Sequence, residues 1–193
     1  MFSDLEKELS NVNNKVSIAN NYDCWKLDFL VDHIENIHHK YVEQNTSIVL
    51  QYAAKVAKVH GHHYVEVVRI NDLFIEVANE LTTHMKKEEL ILFPFIKQLI
   101  KAEEKGEKVN LPHFGTVNNP IAMMEDEHEN AGDIFKEIKK ISNNFTPPEG
   151  ACNTFKALYS KLEEFEQDLH QHIHLENNIL FPKAVLLEKQ NRQ

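Results

Sequence analysis

Apolar residues recur along most of this chain at alternating spacings of three and four, the pattern of helices that bury one face. Five such stretches are separated by short polar segments or by segments that contain glycine or proline. Long helices with short connections favour an antiparallel bundle. The predicted helices span about residues 24–43, 46–60, 71–104, 118–141 and 153–189.

The predicted fold class is therefore all-α, an antiparallel (up-down) four-helix bundle with a short additional helix. The scarcity of turn-forming residues agrees with this, because only five glycines and six prolines occur among 193 residues. Residues 24–193 form the predicted bundle domain, and residues 1–23 form a polar N-terminal extension.

Charge and composition exclude several classes of partner. The chain carries 30 acidic against 21 basic residues and no run of lysine and arginine, so we expect no nucleic acid and no membrane among its partners. No stretch reaches the roughly 20 apolar residues of a membrane span. Cys24 and Cys152 form no paired motif, which suits a reducing compartment. We expect a cytoplasmic monomer or weak dimer.

One motif, H-x3-E-x2-ILFP, occurs twice. Residues 84–94 read HMKKEELILFP, and residues 172–182 read HIHLENNILFP. Residues four apart lie on the same helix face, so the histidine and the glutamate of each copy can reach one point in the bundle. Ile-Leu-Phe continues the apolar face, and the following Pro94 or Pro182 predicts a kink.

Polar residues replace apolar ones on the predicted buried faces of several helices. A single buried histidine is most often a hydrogen-bonded structural residue. Several histidines together with two glutamates are a different case, because imidazole nitrogen and carboxylate oxygen suit Fe, Mn or Zn, and two buried carboxylates repel unless a cation lies between them. The sequence predicts a dinuclear metal site, with a metal-free polar network as the alternative. The residues at these positions are His60, His84, Glu88, His128, His172 and Glu176.

Four segments of the chain resemble a known family. HMKKEELILFP, MEDEHENAGDIF, TPPEGACNTFKALY and HIHLENNILFP occur in the order found in the hemerythrin-like domain of the RIC proteins, the di-iron proteins of iron–sulfur cluster repair. The similarity covers about residues 26–186. It implies a hemerythrin-like bundle and, by position, seven metal ligands: His39, His60, His84, Glu88, His128, His172 and Glu176.

The resemblance also implies the cofactor, which is two Fe ions in an oxo- or hydroxo-bridged di-iron centre. Glu88 and Glu176 would bridge the irons, as the matching glutamates do in the family. Five histidines and the two bridging glutamates together would leave three coordination positions of two octahedral ions unfilled. The oxo or hydroxo bridge would take two of them, and one would stay open for a small molecule.

The ligand on the first helix has two candidates. Ile34, Ile37 and Tyr41 define an apolar face that lies nearer His38 than His39. The resemblance favours His39, because its spacing to the next family histidine and the preceding DHI segment both align without gaps. His38 is held as the reserve candidate.

The separation of His39 and His60 makes a structural demand. Twenty-one helical residues would span about 31 Å, so the chain must reverse between these two histidines for both to reach one site. A turn near Asn45 is predicted to permit the reversal.

Other titratable residues are given ordinary roles. Glu125 and Glu127 are expected to be solvated surface carboxylates, with tuning of the site or proton guidance as the alternative. The remaining histidines are expected at the surface, at helix ends or around the site: His33, His62, His63, His113, His170 and His174.

The function that the resemblance implies is repair or protection of iron–sulfur clusters damaged by nitrosative or oxidative stress. It would proceed by iron donation and by binding NO or O₂ at the open iron position, and its partners would be damaged iron–sulfur cluster proteins. Many RIC proteins carry a cysteine-containing N-terminal domain, whereas only about 23 mostly polar residues precede the first helix here.

Two other functions stay open. One is a hemerythrin-type O₂-binding or O₂-sensing protein, although oxygen carriers use an H-x3-H pair on the helix where this chain has only His128. The other is a di-iron NO reductase, since two adjacent metals can act on two NO molecules. No catalytic residue is predicted.

Overall fold

Four long helices make up the part of the chain that the computed structural model describes, residues 22–110 and 112–192. Each consists of one to three consecutive helical segments, and a short 3₁₀ helix, Tyr22–Cys24, precedes them. The helices are α1 (Leu27–His33, Ile34–His39 and Lys40–His60), α2 (Glu66–Lys87, Glu88–Leu92 and Phe93–Lys105), α3 (Asn118–Ile141) and α4 (Asn153–Leu175, Glu176–Leu180 and Phe181–Arg192).

The helices pack as the predicted all-α bundle. α1 packs against α2 and α4, α2 packs against α3, and α3 also contacts α4. No helix within the described ranges is both long enough and apolar enough to cross a lipid bilayer. The predicted polar extension, residues 1–23, lies outside the described residues except for its last two positions.

The predicted break between the first two helices is wrong, because α1 continues through it without interruption. Asn45 and Thr46 had indicated a turn and a helix cap. Both instead hydrogen-bond backward inside the helix: the Asn45 side-chain amide donates to the Tyr41 carbonyl at 2.9 Å, and the Thr46 hydroxyl donates to the Val42 carbonyl at 2.6 Å. Short polar side chains can make such bonds in a helix interior as well as at its ends.

Two apolar clusters fill the bundle on either side of a polar layer. The first cluster centres on Phe165, whose ring lies 5.3 Å from that of Phe74 and 5.7 Å from that of Phe135. The second cluster contains Phe93 and Phe181, both fully buried. Six of the seven predicted metal ligands, all except His60, lie between the two clusters, and they are therefore shielded from water at both ends.

Wider π-helical turns interrupt three of the helices at this polar layer, over Ile34–His39, Glu88–Leu92 and Glu176–Leu180. In the last two, the first amide beyond the turn donates to the glutamate carbonyl five residues earlier. Pro94 and Pro182 follow directly. A proline ring clashes with the carbonyl four residues before it in a regular α-helix, and the wider turn relieves that clash. Such turns are frequent at functional sites.

A carboxylate from the end of α4 caps the start of α3. Glu188 is buried, and it accepts hydrogen bonds from the Val117 amide at 3.0 Å and the Thr116 hydroxyl at 2.7 Å. Because hydrogen bonds to charged groups contribute about 1.5–3 kcal/mol, we expect Glu188→Ala to lower the free energy of unfolding by about 2 kcal/mol. Urea denaturation measures this, with exposed Glu129→Ala as the control. Equal midpoints for the two variants would contradict the capping role.

Candidate metal centre

Six of the seven predicted ligands converge in the polar layer at the centre of the bundle. Every helix contributes, and each of the six side chains belongs to a residue that is at most 4% exposed. His39 comes from α1, His84 and Glu88 from α2, His128 from α3, and His172 and Glu176 from α4.

The six residues form two overlapping groups, and within each group the ligand atoms all lie within 4.8 Å of one another. Both glutamates belong to both groups, whereas each histidine belongs to only one. The first group is His39, Glu88, His172 and Glu176, and the second group is His84, Glu88, His128 and Glu176.

Glu88 lies between one histidine of each group. Its Oε2 atom is 3.3 Å from His39 Nε2 and 3.4 Å from His84 Nε2. A carboxylate in this position can therefore supply ligands to both groups at once.

Glu176 repeats the arrangement on the opposite side. Its Oε1 atom lies 3.1 Å from His172 Nε2, and its Oε2 atom lies 3.2 Å from His128 Nε2. His84 Nε2 and His128 Nε2 approach to 3.0 Å, so the two histidines of the second group point at a common position.

Several buried polar atoms in this layer make no hydrogen bond. They include both carboxylate oxygens of Glu88 and Glu176, both ring nitrogens of His172, and His39 Nε2. Leaving buried carboxylates and imidazoles without partners costs several kcal/mol. Metal cations would give these atoms the partners that they lack. The mixture of imidazole nitrogen and carboxylate oxygen is a donor set that suits iron. The residues present thus fit a pair of metal ions.

The charges in the layer are strongly coupled. Burial acts to raise the pKa of Glu176, but the neighbouring His172 and His128 hold that pKa well below its usual range. Burial likewise acts to lower the pKa of His84, whereas Glu88, Glu176 and Glu127 raise it to about 9. Protonated imidazole thus balances the carboxylates when no cation is bound, and a metal ion must displace that proton to bind.

Three of the four histidines are held by a hydrogen bond from Nδ1 to an outer side chain, which leaves Nε2 facing the centre. Such partners fix the ring orientation and the tautomer of a metal-binding histidine. The pairs are His39 with Glu89 at 2.7 Å, His84 with Glu127 at 2.8 Å, and His128 with Asn177 at 2.8 Å.

Most of these outer partners were not predicted from the sequence, although the sequence contains a feature that points to two of them. Glu89 and Asn177 directly follow the glutamates of the two motif copies, so that each copy reads H-x3-E and then a second polar residue. Glu127 had been weighed between a surface carboxylate and a tuning residue. It accepts hydrogen bonds from both His84 and Lys87, which agrees with the second role.

The structure does not bring His60 to this centre. Because α1 is continuous, His60 lies at its far end, where its Nε2 atom is 3.3 Å from Cys152 Sγ at the start of α4. His60 had been included by its spacing and by the resemblance, on the condition that the chain reverses near Asn45, and that reversal does not occur. His38, the reserve candidate, is buried in the polar layer but belongs to neither group.

We expect His60→Ala to bind as much metal per chain as the unmodified protein, because the side chain lies outside both groups. Metal analysis after identical loading checks this. His84→Ala is the matched comparison, since that histidine lies in the second group. Loss of one ion from the His60 variant would place a ligand where the structure shows none.

Comparisons with known proteins agree with the geometry. The family model described as the hemerythrin HHE cation binding domain matches residues 30–184. The chain is 37% identical over 182 residues to the iron-sulfur cluster repair protein YtfE of Yersinia pseudotuberculosis serotype IB (strain PB1/+), covering 94% of this chain and 76% of that protein. It is 40% identical over 157 residues to YtfE of Escherichia coli O81 (strain ED1a), covering 81% of this chain and 65% of that protein.

Proposed function

This chain belongs to the hemerythrin HHE cation-binding domain family, and on that basis we propose that it is a non-haem di-iron protein of iron–sulfur cluster repair. It repairs or protects clusters damaged by nitrosative or oxidative stress. The relatives reported above carry the name iron-sulfur cluster repair protein, which supports this role. The bundle domain spans residues 24–193 and carries the function.

The observation that carries the proposal is the sharing of both buried glutamates by the two ligand groups. Two ions bound in these groups would be bridged by Glu88 and Glu176. His39 and His172 would complete one ion, and the second group's two histidines would complete the other. This ligand set is smaller by one histidine than the set expected from sequence. Two octahedral ions held in this way would each have one coordination position left beyond a shared oxo or hydroxo bridge.

A di-iron centre bound here supplies redox-active iron, positions for NO or O₂, and iron that can be donated. The chain's own residues bury the ions between two apolar clusters, and Glu89, Glu127 and Asn177 hold three of the ligand rings. The partners are iron–sulfur proteins with damaged clusters, together with NO or O₂. The net charge of −9 favours neither nucleic acid nor anionic membranes.

Iron transfer to a damaged protein tests the proposal. The chain is loaded with ⁵⁷Fe and mixed with an iron–sulfur enzyme whose cluster has been destroyed by NO, with sulfide and reductant supplied. We expect the enzyme to recover activity and to contain ⁵⁷Fe. The His84→Ala variant, which lacks a ligand of the second group, should restore less activity. Retention of both irons by the chain for hours, without recovery, would contradict iron donation.

Reduction of NO is a second candidate, favoured by the same sharing of both carboxylates, which would hold two ions side by side. Overall, two NO, two protons and two electrons yield N₂O and water, and a diferrous centre would supply the two electrons. N₂O formation beyond one per diferrous chain, in the presence of an electron donor, would establish turnover. Formation of no more than one per chain would leave repair by donation as the function.

A further inference from the structure

A fifth histidine in the polar layer resembles the ligands in its surroundings but belongs to neither ligand group. His38 is 4% exposed, and its Nδ1 atom lies 2.9 Å from Asp168 Oδ1. Its Nε2 atom is buried and makes no hydrogen bond. The pairs His39–Glu89 and His84–Glu127 share this arrangement, in which a carboxylate holds Nδ1 and leaves Nε2 for a metal ion.

A purely structural role does not account for this pair. Buried polar groups in folded proteins are nearly always hydrogen-bonded. Here the second oxygen of Asp168 is also buried without a hydrogen bond, in addition to His38 Nε2. The pair therefore leaves one nitrogen and one oxygen ligand atom unused.

The position of His38 connects it to the first ligand group. Its ring stacks on that of His172, with centroids 5.6 Å apart and planes inclined by 10°. His38 directly precedes His39 in the sequence. The wider turn Ile34–His39 places both rings on the side of α1 that faces the bundle interior. An ion held by His38 would thus be next to an ion of the first group.

Carboxylates on α4 continue from this point toward solvent. Asp168 lies one helical turn before His172, and its side chain is 16% exposed. Glu164 lies one turn further out, where it forms an ion pair with the ammonium of Lys161 at 2.8 Å, so Asp168 is the carboxylate of α4 that serves His38.

We propose that His38, held by Asp168, is a transient ligand that takes up divalent iron on its way between solvent and the first ligand group. The site is weaker than either group because it offers few protein ligands, so an ion resides there only briefly. Asp168 attracts the cation, and His38 exchanges it with His172. This inference rests on the proposed metal centre and gives iron donation a route.

The rate of iron release tests this route. The iron-loaded, reduced protein is mixed with ferrozine, and the coloured ferrous complex is followed with time. We expect Asp168→Asn and His38→Gln each to slow release of the faster-leaving iron by about tenfold or more, with the final metal content unchanged. Asp168→Asn keeps the shape of the side chain and can still hydrogen-bond, so the fold is preserved. Exposed residues of α4 provide the matched controls, Glu163→Gln and His170→Gln.

If both variants release iron at the rate of the unmodified protein, the proposal is overturned. Faster release would also overturn it, because it would show that the substitutions loosened the metal ligands. Metal content separates this failure from failure of the centre itself. If the unmodified protein does not hold two ions, the proposed centre is at fault. If it holds two ions and the variants release iron normally, only the route is at fault.

A direct observation uses cobalt. Crystals of the iron-loaded protein are soaked in Co²⁺, and anomalous scattering is recorded at the cobalt edge. We expect a weakly occupied cobalt position beside His38 that is absent from Asp168→Asn crystals. Cobalt confined to the two ligand groups, or equally occupied in both proteins, would overturn the assignment.

Discussion

Glu176→Ala is expected to remove most of the bound metal while leaving the helix content nearly unchanged. Glu176 belongs to both ligand groups, so in the proposed centre its loss would deprive both ions of a ligand and leave Glu88 as the sole bridge. We expect the loss of affinity to exceed the roughly 10–100-fold that removal of an outer partner typically causes. Elemental analysis and circular dichroism measure the two quantities.

The matched control for this substitution is Glu163→Ala, an exposed glutamate of α4. His84→Ala should also reduce metal content strongly, since it removes a ligand of the second group. Full metal content in both the Glu176 and the His84 variants would show that the ligand set is wrong. A collapse of helicity would show instead that these side chains hold the bundle together.

The largest expected effect on stability comes from Phe165→Ala. Phe165 is fully buried in the first apolar cluster, where its ring contacts those of Tyr41, Phe74 and Phe135. Truncation of a buried phenylalanine removes apolar contact and leaves a cavity, at a cost of about 3–5 kcal/mol. The free energy of unfolding in denaturant, measured on the metal-free protein, checks this.

The control for the stability prediction is Phe29→Ala, because Phe29 is 55% exposed. We expect that variant to unfold within about 0.5 kcal/mol of the unmodified protein, as surface substitutions usually do. A loss below about 1 kcal/mol for Phe165→Ala would mean that the cluster repacks around the cavity.

The fold and the burial of most candidate ligands could be predicted from the sequence, because apolar residues recur at spacings of three and four along three of the helices. His84, Glu88, His128, His172 and Glu176 occupy positions that the apolar spacing turns inward, and the structure buries all five. Such a pattern reports directly which face of a helix is buried.

The error on the first helix has a local cause. Asn45 and Thr46 make interior hydrogen bonds that their sequence does not distinguish from cap bonds. Without this false break, the length of helix between His39 and His60 would have excluded His60 as a ligand of the same site. The residue type alone therefore could not decide between a turn and a continuous helix.

The wider turn in α1 was also not predictable. No proline follows this turn, whereas Pro94 and Pro182 follow the other two turns and indicate them in the sequence. Its effect is to shift the helical register, so that Ile34 is buried, Ile37 is 51% exposed, and both His38 and His39 face inward. The apolar spacing had placed Ile37 on the buried face, because that spacing assumes a regular α-helix.

The side chains that hydrogen-bond to the candidate ligands across helices could not be predicted from the sequence for a different reason. Glu89 reaches a histidine of α1, and Asn177 reaches a histidine of α3. Their pairing depends on how neighbouring helices are placed in register, which no pattern along a single helix reports.

The most direct test of the central claim is the metal content of freshly purified protein, determined together with its visible and Mössbauer spectra. We predict about two irons per chain and the spectrum of a coupled, oxo- or hydroxo-bridged diferric pair, as two bridging carboxylates would support. Zinc alone, or no metal after iron-replete expression and anaerobic reconstitution, would contradict the di-iron centre and leave cluster repair by this chain without a mechanism.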